Sequence, residues 1–230
     1  MINKTKKNLI VDAANEKIIG LPGEENSRID SWEKWREIRF ANISFGQGLL
    51  VTGLEMLQAY HALIKGGMLT RPYIIERTET AQGRIITPPN PSSRDPLLSY
   101  QSTQHIKEAL RQVVLKGTGS SAKSERYSTA GKTGTSEKFD SKTGTYAKNK
   151  RIASFMGFAP FTDPHLLVYV VIDEPQEKPY YGGKWAAPVF KEIIEKTLKY
   201  LNVKEDMQKK DEKNIENTTI SQKKQPQRSL

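Results

Sequence analysis

The sequence predicts an α+β fold in which helices cover an antiparallel sheet. The predicted elements follow one another as helix, helix, β-hairpin and helix, an order typical of α+β layer structures. The two strand-like segments of the hairpin are separated by a short turn that begins at Pro160 and ends at Pro164, which favours antiparallel pairing. A length of 230 residues, 36% of them hydrophobic, is enough to bury a core in one large domain or two small ones.

Two helices are predicted before the hairpin. The first begins at Thr52, because Thr52 and Glu55 have the spacing of a capping box, and it stops at Gly66–Gly67. Residues 68–76 are predicted to be extended. The second helix runs from about Thr103 to Lys116 and stops at Gly117, with one apolar face made of Ile106, Leu110, Val113 and Val114.

The hairpin and the last helix complete the predicted fold. Its strands are residues 152–158 and 166–172, and the second is apolar throughout, which is typical of a central buried strand. Pro188 suits the first turn of the last helix, which is predicted to end near Asn202. The expected apolar face of that helix consists of Val189, Ile193, Thr197, Leu198 and Leu201.

The chain is expected to divide into three regions. Residues 1–19 are predicted to be a truncated lead-in, the tail of a preceding segment, because they contain only one short apolar patch, Leu9–Val11. Residues 20–203 form the folded region. Residues 204–230 are too polar to offset their ordering entropy, so we expect a disordered polar tail.

Composition excludes several classes of function. The chain has no cysteine, which excludes disulfides, thiol catalysis and cysteine-ligated metals. His61, His105 and His165 lie far apart in the sequence, so we expect neither a metal nor a cofactor. The longest apolar run, 166–172, falls well short of the roughly 20 residues that a membrane helix needs, and the N-terminus lacks the apolar region of a signal peptide.

The basic excess points to an anionic partner. The formal net charge is +10, and residues 104–155 carry eleven Lys and Arg against four Asp and Glu. This stretch fits a site for carboxylates, but it also fits a non-catalytic basic module that binds polyanions, which is the alternative prediction.

The stretch Lys132-Thr133-Gly134-Thr135 is the strongest chemical motif. A phosphate-binding loop is excluded because its first glycine would fall on Arg126. The other use of Lys-Thr-Gly is a strand at the lip of an acyl-transfer site, where glycine lets substrate approach the backbone. A second copy, residues 142–145, lies in a polar run and is predicted to be a hairpin tip.

The order of short blocks around this motif resembles the transpeptidase domain of class B penicillin-binding proteins over residues 19–203. The blocks are Gly20–Glu24, Ser44–Gly48 with Val51–Thr52, Gly66–Gly67, Gly117–Gly119, Ala130–Thr135, Ile152–Phe155 with Gly157–Pro160, Tyr180–Gly183 and Ala186–Phe190. The resemblance implies the β-lactamase/transpeptidase-like fold with its N-terminal half missing. It also implies the C-terminal part of a D,D-transpeptidase that cross-links peptidoglycan, on the outward face of the plasma membrane.

The resemblance also assigns roles to the motif. Lys132 and Thr135 would be catalytic, Lys132 through its charge and Thr135 through a backbone N–H that serves as an oxyanion donor. Thr133, Gly134 and Thr135 would bind the substrate, with the two hydroxyls holding its terminal carboxylate. The implied partners are peptidoglycan stem peptides, β-lactams and the missing N-terminal half, and no nucleic acid is expected.

Two motifs of the family are not matched. No Ser-x-Asn occurs in the chain. Ser-x-x-Lys occurs at Ser31–Lys34 and at Ser120–Lys123, but both stretches align with other family segments, so we interpret them as chance. Without the nucleophilic serine we expect this chain to be inactive alone. We also expect the helix faces of Leu57/Leu63 and Ile106/Val113 to lack partners.

Overall fold

The computed structural model describes residues 18–207 except residues 20–21, 26, 28, 31, 45, 87–95 and 141–144. The four helices are α1 (Glu37–Ser44), α2 (Gly53–Ile64), α3 (Tyr100–Lys116) and α4 (Gly182–Tyr200), with short 3₁₀ helices at Trp32–Lys34 and Ser120–Ala122. The strands are β1 (Thr78–Glu79), β2 (Ile85–Ile86), β3 (Ala130–Asp140), β4 (Thr145–Ala159) and β5 (Leu166–Asp173).

The main sheet is antiparallel, with the order β3-β4-β5, while β1 and β2 pair separately. On one face of β4, Phe155 and Ala159 pack with Phe190 and Ile194 of α4. On the other face, Phe158 packs with Leu110 of α3, and Tyr60 and Ile64 of α2 lie against this cluster. Helices therefore cover both faces of the sheet, which confirms the predicted α+β architecture.

Local signals placed the ends of α2 correctly. The Thr52 hydroxyl accepts from the Glu55 N–H, and the Glu55 carboxylate accepts from the Thr52 N–H, so the capping box is formed. The helix ends at Ile64, and Gly66 and Gly67 follow with φ of +67° and +95°, in the left-handed region that favours glycine. Residues 68–76 contain no strand, only a single bridge residue at Thr70.

Helix α3 begins three residues earlier than predicted. Ser99 is its N-cap and accepts from the Ser102 N–H. Leu110 and Val114 are buried as expected, whereas Ile106 is 37% exposed. The buried face also includes Lys107, whose ammonium lies 5.9 and 5.6 Å from the ring centroids of Phe158 and Phe161; burial lowers the pKa of this lysine.

Two predictions about the last helix are wrong. Helix α4 begins at Gly182, so Pro188 lies inside the helix and not in its first turn. Leu198 is buried as predicted, but the rest of the buried face is Ala186, Ala187, Phe190 and Ile194, whereas Val189 and Ile193 are 39% and 36% exposed. The helix has two apolar faces that are offset by one residue in the sequence. The face that contains Phe190 packs on the sheet, and the ring centroids of Phe190 and Phe155 are 4.7 Å apart.

Residues 166–172 form a strand as predicted, but within the described residues it is not central. Within the described residues β5 pairs only with β4, so β4 is central and β5 is at the edge. Strand β5 is apolar on both sides because Val168 and Val170 face α4, while Leu167 packs on the α2–α3 side. Because helices cover both faces of the sheet, apolar and polar residues do not alternate along β5.

The described chain continues past residue 203 into the predicted polar tail. Asp206 accepts a hydrogen bond from the Ser128 N–H at 2.7 Å, and the Met207 N–H donates to the Arg126 carbonyl at 3.1 Å. Arg126 also forms an ion pair with Glu205. Residues 204–207 are thus attached to the segment that leads into β3, and residues 208–230 lie outside the described residues.

Candidate functional site

All four residues of the predicted motif lie on strand β3 and line one groove. β3 is an edge strand of the described sheet, with Lys132 opposite Met156 and Gly134 opposite Ser154 on β4. The groove has a volume of about 1190 Å³ and is lined by Lys132, Thr133, Gly134 and Thr135. We call these four residues the lip.

Glycines allow the start of α4 to approach β3, β4 and residue 118 at the lip. A Cβ on Gly134 would overlap the Ser154 hydroxyl, so a side chain at this position requires that hydroxyl to move. A Cβ on Gly182 would overlap the Ser154 carbonyl oxygen and lie 2.7 Å from the Gly134 carbonyl oxygen. One on Gly183 would overlap the Thr118 carbonyl oxygen. The start of α4 therefore packs directly on the backbone of β3, β4 and residue 118.

The polar atoms of the lip are connected by hydrogen bonds. The Thr118 and Thr133 hydroxyls are 2.9 Å apart. The Lys132 ammonium donates to the Thr133 carbonyl oxygen at 3.0 Å and approaches the Thr133 hydroxyl oxygen at 3.4 Å. The Gly182 N–H donates to the Thr135 hydroxyl oxygen at 3.4 Å. The lip is thus a strand edge that presents one ammonium and two hydroxyls.

The electrostatics of the lip favour an anion. Lys132 is exposed and forms no ion pair with any described carboxylate. Helix α4, 19 residues long, begins at Gly182 beside Thr135, so its positive dipole end adds to the charge of Lys132. A carboxylate accepts hydrogen bonds and does not donate them, which matches this set of donors.

The wall of the groove on the side of α2 is largely apolar. It includes Met56 and Tyr60 of α2, Met156 of β4 and Tyr169 of β5. Burial, and to a lesser extent the neighbouring Tyr169, raises the pKa of Tyr60 to about 12. Tyr60 therefore stays a neutral hydroxyl at physiological pH.

Several groove residues were not predicted as site residues from the sequence. Thr118, Ser154 and Gly182 belong to blocks that carried the resemblance, yet nothing in their local sequence indicated contact with the lip. Gln47 also lines the groove, next to Gly46 and Gly48, which have φ of +87° and +82°. Only the three-dimensional packing brings these segments to Lys132.

The other sequence candidates do not join the site. Ser120 and Lys123 are outside the groove lining, although the intervening Ser121 contributes to it. Ser31 and residues 142–144 of the second Lys-Thr-Gly copy lie outside the described residues. His105 is exposed on α3, and the His165 Nε2 atom lies 3.2 Å from the Asp163 Oδ2 atom. His61 lines a separate cavity of about 730 Å³, where burial and the nearby Lys65 lower its pKa.

Comparison with solved structures defines the fold class. Penicillin-binding protein 3 of Mycobacterium tuberculosis in complex with aztreonam superposes with a TM-score of 0.75 and 30% identity, covering 84% of this chain and 44% of that one. The transpeptidase domain of penicillin-binding protein 3 from Burkholderia pseudomallei gives a TM-score of 0.71 and 31% identity, covering 85% of this chain and 56% of that one. The fold is therefore of the β-lactamase/transpeptidase type.

The family follows from the sequence comparisons. The family model described as the penicillin-binding protein transpeptidase domain matches residues 10–195, so this chain belongs to that family. Stage V sporulation protein D of Bacillus subtilis is 37% identical over 187 residues, covering 81% of this chain and 29% of that protein. The probable peptidoglycan D,D-transpeptidase PenA of Neisseria gonorrhoeae is 36% identical over 186 residues, covering 80% and 30%. The chain thus spans less than a third of the length of these relatives.

The comparisons confirm the predicted resemblance and fold class, and they give no support to the alternative of a polyanion-binding module. Part of the basic stretch that suggested this alternative is neutralised, since Lys138 pairs with Asp173 and Glu174, and Arg151 pairs with Glu137. No helix in the described ranges is long and apolar enough to cross a bilayer.

Proposed function

We propose that this chain is the carboxylate-recognition part of a peptidoglycan D,D-transpeptidase. The lip would hold the terminal carboxylate of a D-alanyl-D-alanine stem peptide, or that of a β-lactam. Lys132 would supply positive charge, the Thr133 and Thr135 hydroxyls would donate hydrogen bonds, and Gly134 would let the ligand approach the strand. The observation that carries this proposal is that Lys132, Thr133 and Thr135 all line one groove at a strand edge.

Family membership and the open edge of β3 both support this assignment. A peptide in extended conformation can pair with an edge strand, while alternate side chains enter the groove. The Thr135 backbone N–H would act as one oxyanion donor, as the family resemblance implies. Gly182 supports the role of the Thr135 side chain, because a hydroxyl oxygen that already accepts a hydrogen bond keeps its proton for a ligand.

We propose further that this chain alone does not turn over substrate. An acyl-enzyme requires a nucleophile activated by a nearby base, and among the described groove residues no serine forms a hydrogen bond with a lysine ammonium. The backbone N–H of the nucleophilic serine would be the second oxyanion donor. Losing one such donor typically costs about 2.7–4 kcal/mol of transition-state stabilisation. Losing the serine itself removes the covalent route altogether.

A further part of the transpeptidase domain is the proposed source of the nucleophile. Helix α2 is rich in apolar residues, yet Ala62 is its only buried residue, and Met56 and Tyr60 face the groove. Apolar side chains that border a polar lip suit a segment that packs against α2 and brings a serine to Lys132. The complete protein would act at the outward face of the plasma membrane, where peptidoglycan is built.

Ligand binding and covalent labelling test this proposal separately. In an NMR titration of the chain, N-acetyl-D-alanyl-D-alanine should shift the amide signals of residues 132–135. Lys132→Met should weaken binding by about 3- to 10-fold, a range expected for one charge-assisted contact at an exposed site. Lys142→Met, in the second Lys-Thr-Gly copy, is the matched control and should leave the affinity unchanged.

The labelling experiment has an equally definite outcome. A fluorescent penicillin should leave no label that survives denaturation of the chain. In the titration, equal losses of affinity in Lys132→Met and Lys142→Met would refute the role of the lip. A stable label on Ser31 or Ser120 would refute the absence of a nucleophile.

A further inference from the structure

Thr118 is held rigidly at the groove by the end of α3. The N–H groups of Gly117 and Gly119 both donate to the Val113 carbonyl, at 3.0 and 3.1 Å. A Cβ on Gly119 would lie 3.1 Å from the Phe155 ring, so this turn packs closely against the core. The backbone of Thr118 is therefore fixed between two anchored glycines, and its hydroxyl is 2.9 Å from that of Thr133.

The direction of the hydrogen bond between these two hydroxyls decides what the lip can bind. Each hydroxyl has one proton to donate. If Thr133 donates to Thr118, its proton is used and it offers a ligand only lone pairs. If Thr118 donates to Thr133, the Thr133 proton is free for the groove. A carboxylate in the groove favours the second arrangement, because its oxygens only accept and can take the Thr133 proton while the Thr133 oxygen accepts from Thr118.

The same logic already holds at Thr135, where the Gly182 N–H donates to the hydroxyl oxygen and leaves the proton available. With Thr118 donating to Thr133, both threonines of the lip become donors. Two donors suit an ionised carboxylate, whose oxygens only accept, and they are poorly matched to a terminal amide, which brings its own N–H protons.

We propose that Thr118 is a positioning residue that orients the Thr133 hydroxyl proton into the groove and so makes the lip selective for a terminal carboxylate over a terminal amide. This inference rests on the proposed function of the lip. It assigns to Thr118 a role in choosing between ligands that differ only at the C-terminus, and it requires no direct contact between Thr118 and the ligand.

The test compares two ligands in the same protein. Dissociation constants are measured by NMR titration for N-acetyl-D-alanyl-D-alanine and for its C-terminal amide, and their ratio gives the selectivity. This ratio is insensitive to the fraction of folded protein because both ligands meet the same sample. Thr118→Val removes the hydroxyl with little change in shape, Thr118→Ser keeps it, and Ser120→Ala, at an exposed residue outside the groove lining, is the control.

We expect Thr118→Val to reduce the selectivity for the acid by about 3- to 10-fold, because the acid binds more weakly. This is the loss expected when one hydrogen bond to a charged group becomes less favourable. Thr118→Ser should stay within about twofold of the wild-type ratio. Unchanged selectivity in Thr118→Val, or a Thr118→Ser variant that behaves like valine, would overturn the inference while leaving the proposed function intact. A wild-type chain that binds both ligands equally would overturn both.

Discussion

Replacing Gly134 by alanine should disturb the packing of the lip, because the added methyl group meets one neighbouring side chain. In Gly134→Ala the new Cβ overlaps the Ser154 hydroxyl oxygen, and the next nearest atom is the Ser154 Cβ at 3.8 Å, an ordinary contact. The obstruction is thus one oxygen atom on the adjacent strand. Removing that oxygen by Ser154→Ala should make room for the methyl group.

The expected magnitudes follow from this geometry. Overpacking costs about 1–3 kcal/mol, and replacing glycine by alanine inside a strand returns about 0.5–1 kcal/mol of backbone entropy. Gly134→Ala should therefore lower the free energy of unfolding by about 1–2 kcal/mol. In the Ser154→Ala background the same change should be neutral or slightly stabilising. The coupling energy between the two sites would be about 1–3 kcal/mol.

Urea unfolding followed by circular dichroism measures all four proteins of this cycle. Gly131→Ala serves as the contrast, because its Cβ would lie 2.5 Å from the Met156 carbonyl oxygen and 2.8 Å from the Gly157 Cα. These are backbone atoms, so Ser154→Ala should not rescue Gly131→Ala. If Gly134→Ala cost the same with and without the Ser154 hydroxyl, the steric role assigned to that hydroxyl would be refuted.

Three further changes test the fold and its electrostatics. The raised pKa of Tyr60, from 10.0 to about 12, contributes stability that is complete below pH 10 and lost as the pH rises through 12, about 2–3 kcal/mol in all. Between pH 9 and pH 11.5 about 2 kcal/mol of this should be lost in urea unfolding of the unchanged chain and not in Tyr60→Phe, and equal losses would contradict the burial of this hydroxyl. Thr52→Ala breaks the capping box and should cost about 1 kcal/mol in urea unfolding, and an unchanged midpoint would contradict the cap. Phe190→Ala should cost about 3–5 kcal/mol, whereas Val189→Ala, on the exposed side of α4, should cost far less; equal losses would mean that the helix is turned differently.

The sequence predicted those features of the fold that depend on neighbours along the chain. Thr52 and Glu55 lie three residues apart, so their hydrogen bonds could be anticipated. The face of α4 could not, because Ile193 and Ile194 are equally apolar and only the sheet decides which of them is buried. The edge position of β5 was hidden for a similar reason, since packing against helices on both sides made it resemble a central strand.

The candidate site divides in the same way. Lys132, Thr133 and Thr135 lie within four consecutive residues, and the resemblance to a known motif was enough to propose them. Their supporting contacts come from Thr118, 15 residues away from Thr133, and from Gly182, 47 residues away from Thr135. Nothing in the local sequence indicates that a hydroxyl or an N–H so far along the chain will contact the motif. Its proximity results from glycines that let the start of α4 approach β3, β4 and residue 118.

The outer edge of β5 has a consequence for handling this polypeptide. Its residues 166–172 contain neither charge nor proline, the two features by which natural edge strands discourage unwanted pairing. Within the described part of the chain one side of this strand has no neighbouring strand, and a segment that paired there would extend the sheet. We therefore expect purified material to self-associate as concentration rises, and a lysine placed midway along that edge should be the simplest way to keep it monomeric.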